Sequence, residues 1–187
     1  MAATRHGGAD RTTLSVPAQS GRAIEVREGE LVRVIDVEGQ QVGDLWVQGW
    51  AVLHDLALPG SRANIDHLVI GPGGVFVVDS KQYRGRLQLD GRGRLWHGRY
   101  PLAPTLRAVD YEADQAAQVL IDPDVVVVPI VAIHGAQVPW GKVITNGVPV
   151  VAARRLPSML RALPAVLGPE RVAALADQAR IRFRAAA

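Results

Sequence analysis

The stretch from Asn64 to Lys81 reads NIDHLVIGPGGVFVVDSK, and its pattern decides the architecture. Two apolar runs, NIDHLVI and VFVVDSK, flank the turn sequence GPGG. Valine, isoleucine and phenylalanine dominate them, as expected of strands. Proline at the first central turn position and glycine at the second fit a type II turn. A symmetric turn sets Ile70 opposite Val75, and the same register sets Asp66 opposite Asp79. Side chains alternate along a strand, so Asp79 and Lys81 share a face, and Asp66 joins them on it. Opposed side chains in such a pair lie roughly 5 Å apart at Cβ.

Upstream, WAVLHDLAL (50–58) reads as a further strand, closed by Pro59-Gly60. Before it, AIEV (23–26), LVRVIDV (31–37) and QVGDLWV (41–47) read as two or three short strands with tight turns. Residues 1–19 lack periodicity and read as a loose tail. Downstream, RGRLQLDGRGRLWHG reads as a hairpin with Asp90-Gly91 in its turn. From Leu106 to Leu120 the apolar spacing becomes helical. VVVVPIVAI reads as a buried strand in which Pro129 marks a bulge or an edge. GVPVVAA follows as one more strand. Leu156–Leu167 and Glu170–Ala186 read as helices, and Pro164 should kink or shorten the first. The expected fold class is α/β, a mixed central sheet with flanking helices.

Composition narrows the function. The 187 residues are 48% hydrophobic and 21% charged, enough to bury a core. With no cysteine there is no disulfide scaffold, thiol nucleophile or thiolate zinc site. No apolar stretch approaches the roughly 20 residues that span a bilayer, and the N-terminus lacks the apolar core of a secretory signal. A soluble, cytoplasmic protein with no membrane partner is the expectation. Net charge is +3, and it is uneven. Residues 1–60 are net −3, whereas residues 61–110 are net +4, which suits an anionic partner. Arginine on every solvated face would give the same count. Only Lys81 and Lys142 are lysine among 21 basic residues. At Lys81 this hints that a compact ammonium is wanted.

Two carboxylates as close as Asp66 and Asp79 repel, unless one takes up a proton or a cation stands between them. Oxygen-only ligands suit Mg²⁺ or Mn²⁺. Lys81 beside such an ion would orient and polarise an attacking water or steady charge on a phosphate oxygen. The alternative is that both acids merely end their strands, solvated or paired with arginines.

SRANIDHLVIGPGGVFVVDSKQYRGRL resembles the nuclease-related domain (NERD), a branch of the PD-(D/E)XK nuclease superfamily. Asp66 matches the first acid of its motif, and Asp79-Ser80-Lys81 matches (D/E)XK. Gln115, in DYEADQAAQVL, best matches the glutamine of the next helix, with Gln118 one turn on. The resemblance covers roughly residues 50–187. It implies a restriction-endonuclease-like fold, with Asp66 and Asp79 as metal ligands and Asp66, Asp79, Lys81 and Gln115 as catalytic residues. It also implies Mg²⁺ or Mn²⁺ as cofactor and DNA or other nucleic acid as partner. Arg84 and Arg86, directly after the motif, are candidates to hold a nucleic-acid backbone. Family members usually begin with a helix whose glutamate joins the metal site, and no such helix precedes residue 50 here. Residues 20–47 instead resemble the opening of the urea-carboxylase-associated protein family, so residues 20–49 read as a β-rich segment of different origin. Glu38, Asp44 and Asp55 are candidates to replace the glutamate. Two functions follow: a metal-dependent nuclease, or an inactive nucleic-acid-binding module of the same fold.

The remaining candidates read as structural. His67 alternates to the face opposite Asp66. His97 lies in a basic hairpin, within reach of a phosphate. Trp46, Trp50, Trp96 and Trp140 read as core or rim packing.

Overall fold

The computed structural model describes residues 49–58 and 63–185. The expected tail and the strands of residues 20–47 lie outside the described residues. The hairpin of the opening motif is β2 (Asn64–Gly71) and β3 (Gly74–Gln82), preceded by β1 (Ala51–Ala57). A small sheet of β4 (Leu87–Leu89), β5 (Leu95–His97) and β6 (Tyr100–Pro101) follows β3 at once. Next come α1 (Ala103–Leu120) and β7 (Val127–His134), then the edge hairpin of β8 (Lys142–Thr145) and β9 (Val148–Ala152). The described chain closes with α2 (Leu156–Arg161), α3 (Pro169–Arg182) and β10 (Arg184–Ala185).

The main sheet has the order β10-β1-β2-β3-β7-β9-β8. It is mixed: β3, β7 and β9 are parallel, and the other neighbours are antiparallel. Helix α1 is the crossover between β3 and β7. Both faces of the sheet are covered, which is why the first half of β3, residues 75–78, is continuously apolar. Val75 and Val77 face the layer that holds α1 and α3, through Val109, Ala113, Leu175 and Ala179. Phe76 and Val78 face the opposite layer, where Leu156 and Leu160 of α2 pack with Trp50. The fold is mixed α/β with flanking helices and is consistent with the restriction-endonuclease-like class. No helix among the described residues is long and apolar enough to cross a membrane.

The turn differs from expectation in type but not in register. Gly71 pairs with Gly74 and Ile70 with Val75. Gly73, however, does not take the positive φ of a type II turn; Gly74 does, at 128°. Types I and II differ by a flip of the central peptide, whose carbonyl here is that of Pro72. That oxygen accepts hydrogen bonds from the N–H groups of Val166 (2.7 Å) and Leu167 (3.0 Å). The segment after α2 therefore fixes the orientation of this peptide.

Pro129 introduces no bulge, since the β3–β7 register runs through it without a break. Pairing of β7 with β9 starts only at Val131, so on that side Pro129 stands at a local edge. Helix α2 ends at Arg161, three residues before Pro164, so the first C-terminal helix is shortened. Helix α1 stops where Ile121 turns left-handed, its N–H still bonded to the Ala117 carbonyl.

Candidate functional site

Asp66 and Asp79 come together at the point where the β2–β3 ladder stops. The last ladder pair is His67 with Val78. One step on, the Asp66 side chain takes the place of a backbone partner: its Oδ2 accepts the Ser80 N–H at 3.0 Å. This bond fixes the Asp66 carboxylate near Asp79, close enough for the two acids to act on each other. Asp79 is only 5% exposed, which is unusual for an aspartate. Its Oδ1 accepts a charge-assisted hydrogen bond from Lys81 Nζ. The register arithmetic and the alternation of side chains thus place Asp66, Asp79 and Lys81 together on the α1 side of the sheet.

The electrostatics follow from burial and crowding. Loss of water pushes the Asp79 carboxyl above its ordinary range. The bond and charge of Lys81 pull the other way, and the neighbouring Asp66 adds to the rise. Burial also disfavours the Lys81 ammonium, but its bond to Asp79 and the charges of Asp79, Asp66 and Glu112 outweigh this and raise its pKa.

Glu112 is the acid that sequence reading missed. It lies on α1, which packs on β3, near enough to Asp79 and Asp66 for their charges to act on it. Burial, then the charges of Asp79 and Asp66, push the Glu112 carboxyl up to about 7, with Lys81 opposing. A signal was present in the sequence: Glu112 is three residues from Val109 and four from Ala116, on the flank of the buried stripe.

The other expected residues are more scattered. Gln115 is half-buried on α1 and makes no hydrogen bond to Asp66, Asp79 or Lys81 among the described residues. Gln118 is exposed on the same helix. Arg84 and Arg86 are exposed on the segment that leaves β3. His97 is held by Arg84 O (2.8 Å) and stacks on Tyr83 at 4.6 Å. His67 faces away from Asp66 and bonds His54, Nδ1 to Nδ1, at 2.7 Å. Asp55 is exposed on β1 with a left-handed φ of 49°. Its charge is not among those acting on Asp79, Lys81 or Glu112. Glu38 and Asp44 lie outside the described residues. Trp140 corrects the expectation of packing, because it is 78% exposed.

Asp66 and Asp79 each commit one oxygen to a hydrogen bond and retain another. Hard oxygen donors fit Mg²⁺ or Mn²⁺ in kind. Among the described residues no group of three or more His, Asp or Glu stands in metal-ligating geometry. The chain would thus offer two carboxylates, with water and phosphate completing the shell, as is usual for Mg²⁺.

The mixed sheet with flanking helices is that of a restriction-endonuclease-like fold, and it brings an acid pair and a lysine together at the carboxyl end of a central strand. The family model of the nuclease-related domain matches residues 36–134, and the chain belongs to that family. Membership makes the domain nuclease-related and ties it in general to nucleic acid. The match begins ahead of β1 and ends on the last residue of β7. No curated protein and no solved structure matches the chain.

Proposed function

We propose that this domain is a metal-dependent nuclease that hydrolyses phosphodiester bonds in DNA. The observation that carries the reading is the meeting of Asp66, Asp79 and Lys81 in a chain of this family. Asp66 and Asp79 would hold Mg²⁺ or Mn²⁺, which supplies a Lewis acid for the phosphate. The Ser80 N–H orients the Asp66 carboxylate, so this group need not reorganise when substrate arrives. Lys81 turns from Asp79 toward charge that builds up on the phosphate oxygens. Gln115 orients the site from α1, and Arg84 and Arg86 hold the flanking backbone.

One observation favours the inactive binding module instead. Lys81 already neutralises Asp79, and the described residues supply no third ligand. Supercoiled plasmid incubated with the full chain and Mg²⁺ or Mn²⁺ decides between the readings. Nicking is expected from the wild type, with a loss of at least 100-fold in D79N and in EDTA. Equal nicking by wild type and D79N would overturn the nuclease reading. Salt-sensitive DNA binding without nicking would establish the binding module.

A further inference from the structure

The strongest feature outside the acid pair is a tryptophan in the wrong place for packing. Trp140 is 78% exposed and sits at φ 53°, ψ 7°, the left-handed region. A bulky residue there is a backbone outlier, of a kind usually tolerated at functional positions. The surroundings hold it there. Arg155 Nη1 donates to the Trp140 carbonyl (2.9 Å), and Gly141 N–H closes a turn onto Val138 O (2.8 Å). Gly141 itself leaves the space that the Arg155 guanidinium fills.

Beside the indole runs an open groove of about 580 Å³. Its walls include Arg86, Gln88 and Leu89 from β4 and its lead-in, and Gln137, Pro139 and Trp140 from the segment after β7. Two backbone bonds of 2.8 Å, Leu87 N–H to Gln137 O and Gln137 N–H to Gly85 O, join the walls. No acid lines the groove. Arg86 lines it, and Arg155 bonds the Trp140 backbone at one end. An exposed aromatic face, two primary amides and unopposed cations match a nucleotide: the ring stacks, the amides meet base edges and Arg86 meets phosphate. Along the chain, Arg86 follows Lys81 by five residues.

We infer that this groove takes an unpaired nucleobase stacked on Trp140, so that the site receives single-stranded nucleic acid or a frayed end. A base inside a duplex is already stacked on its neighbours and offers no free face to the indole. The inference rests on the nuclease-related reading for its substrate class, but its test needs no cleavage.

A short labelled oligothymidylate, titrated in EDTA against the full chain, gives the readout. The wild type is expected to bind it in preference to the matching duplex, with quenching of tryptophan fluorescence. W140A is expected to lose about tenfold in affinity for the single strand and to bind duplex unchanged. W140F should stay within threefold of the wild type. W140G removes the backbone strain, so it should bind as weakly as W140A while melting higher, which separates stacking from folding. Absence of oligothymidylate binding by the wild type, or equal binding by W140A, would overturn the inference. So would a Trp140 substitution that dissolves a dimer in sedimentation without changing oligothymidylate affinity. If D79N nicks plasmid as the wild type does while W140A still loses the single strand, the nuclease reading fails and the stacking groove stands.

Discussion

Glu112 shows how a single side chain links fold and pH. An unfolded glutamate titrates near 4.5, whereas in the fold its carboxyl titrates at about 7. Below pH 4.5 it is neutral in both states and adds no penalty. Between about 4.5 and 7 the folded chain keeps a proton that the unfolded chain releases, so stability falls as pH rises through that window. Above 7 the full cost is present. The side chain is only half-buried, and after discounting for solvent the cost is about 1 kcal/mol. E112Q is therefore expected to melt higher than the wild type at pH 8 and to differ little at pH 4.5. A wild-type excess at pH 8 would contradict the crowding of Glu112 against the acid pair. The same residue marks the limit of sequence reading. Asp66, Asp79 and Lys81 were legible because strand alternation and one turn length fix their faces. Glu112 was not, because its level on α1 depends on how a helix and a strand of different rise lie against each other.

At the scale of elements, the β2–β3 hairpin is tied to the chain that follows α2. Val166 and Leu167 bond to the Pro72 carbonyl, and a Cβ on Gly73 would lie 2.9 Å from Leu163 Cβ. That approach is closer than two carbons tolerate, so G73A must push the segment away. A loss of about 1–3 kcal/mol is expected, read as a lower midpoint in urea. If G73A melts as the wild type does, this contact does not shape the turn. The hairpin's register was legible in GPGG, since local residue choice sets loop length. The turn type was not, because the deciding hydrogen bonds come from residues more than ninety positions away. Strand β8 also escaped notice: KVIT is four residues long and takes its identity from pairing with β9.

Across the whole molecule, charge and architecture coincide. The basic middle third contains the small β4–β5–β6 sheet, which sits in sequence between the acid pair and α1. Arg94 there is occupied by Asp90, whose carboxylate also accepts the backbone N–H groups of Arg92 and Arg94. Arg84 and Arg86 carry no such ion pair among the described residues. If both contact phosphate, each contributes about one counterion to the salt dependence of binding. The double variant R84Q/R86Q is expected to lower the slope of log affinity against log salt by about two. A slope unchanged from the wild type would remove both arginines from the interface. The overall α/β order was legible because periodicity changes between the motif hairpin and α1, whereas the covering of both sheet faces emerged only from the structure.

The position of β7 carries a last consequence. Likeness to the family stops at His134, but β7 hydrogen-bonds on its outer side to β9, and Leu156 and Leu160 cover its second face. Without the residues after His134, a long apolar strand would present bare N–H and C=O groups to any passing chain. The part that carries the acid pair and the part that covers the strand beside it are thus separate stretches of one polypeptide.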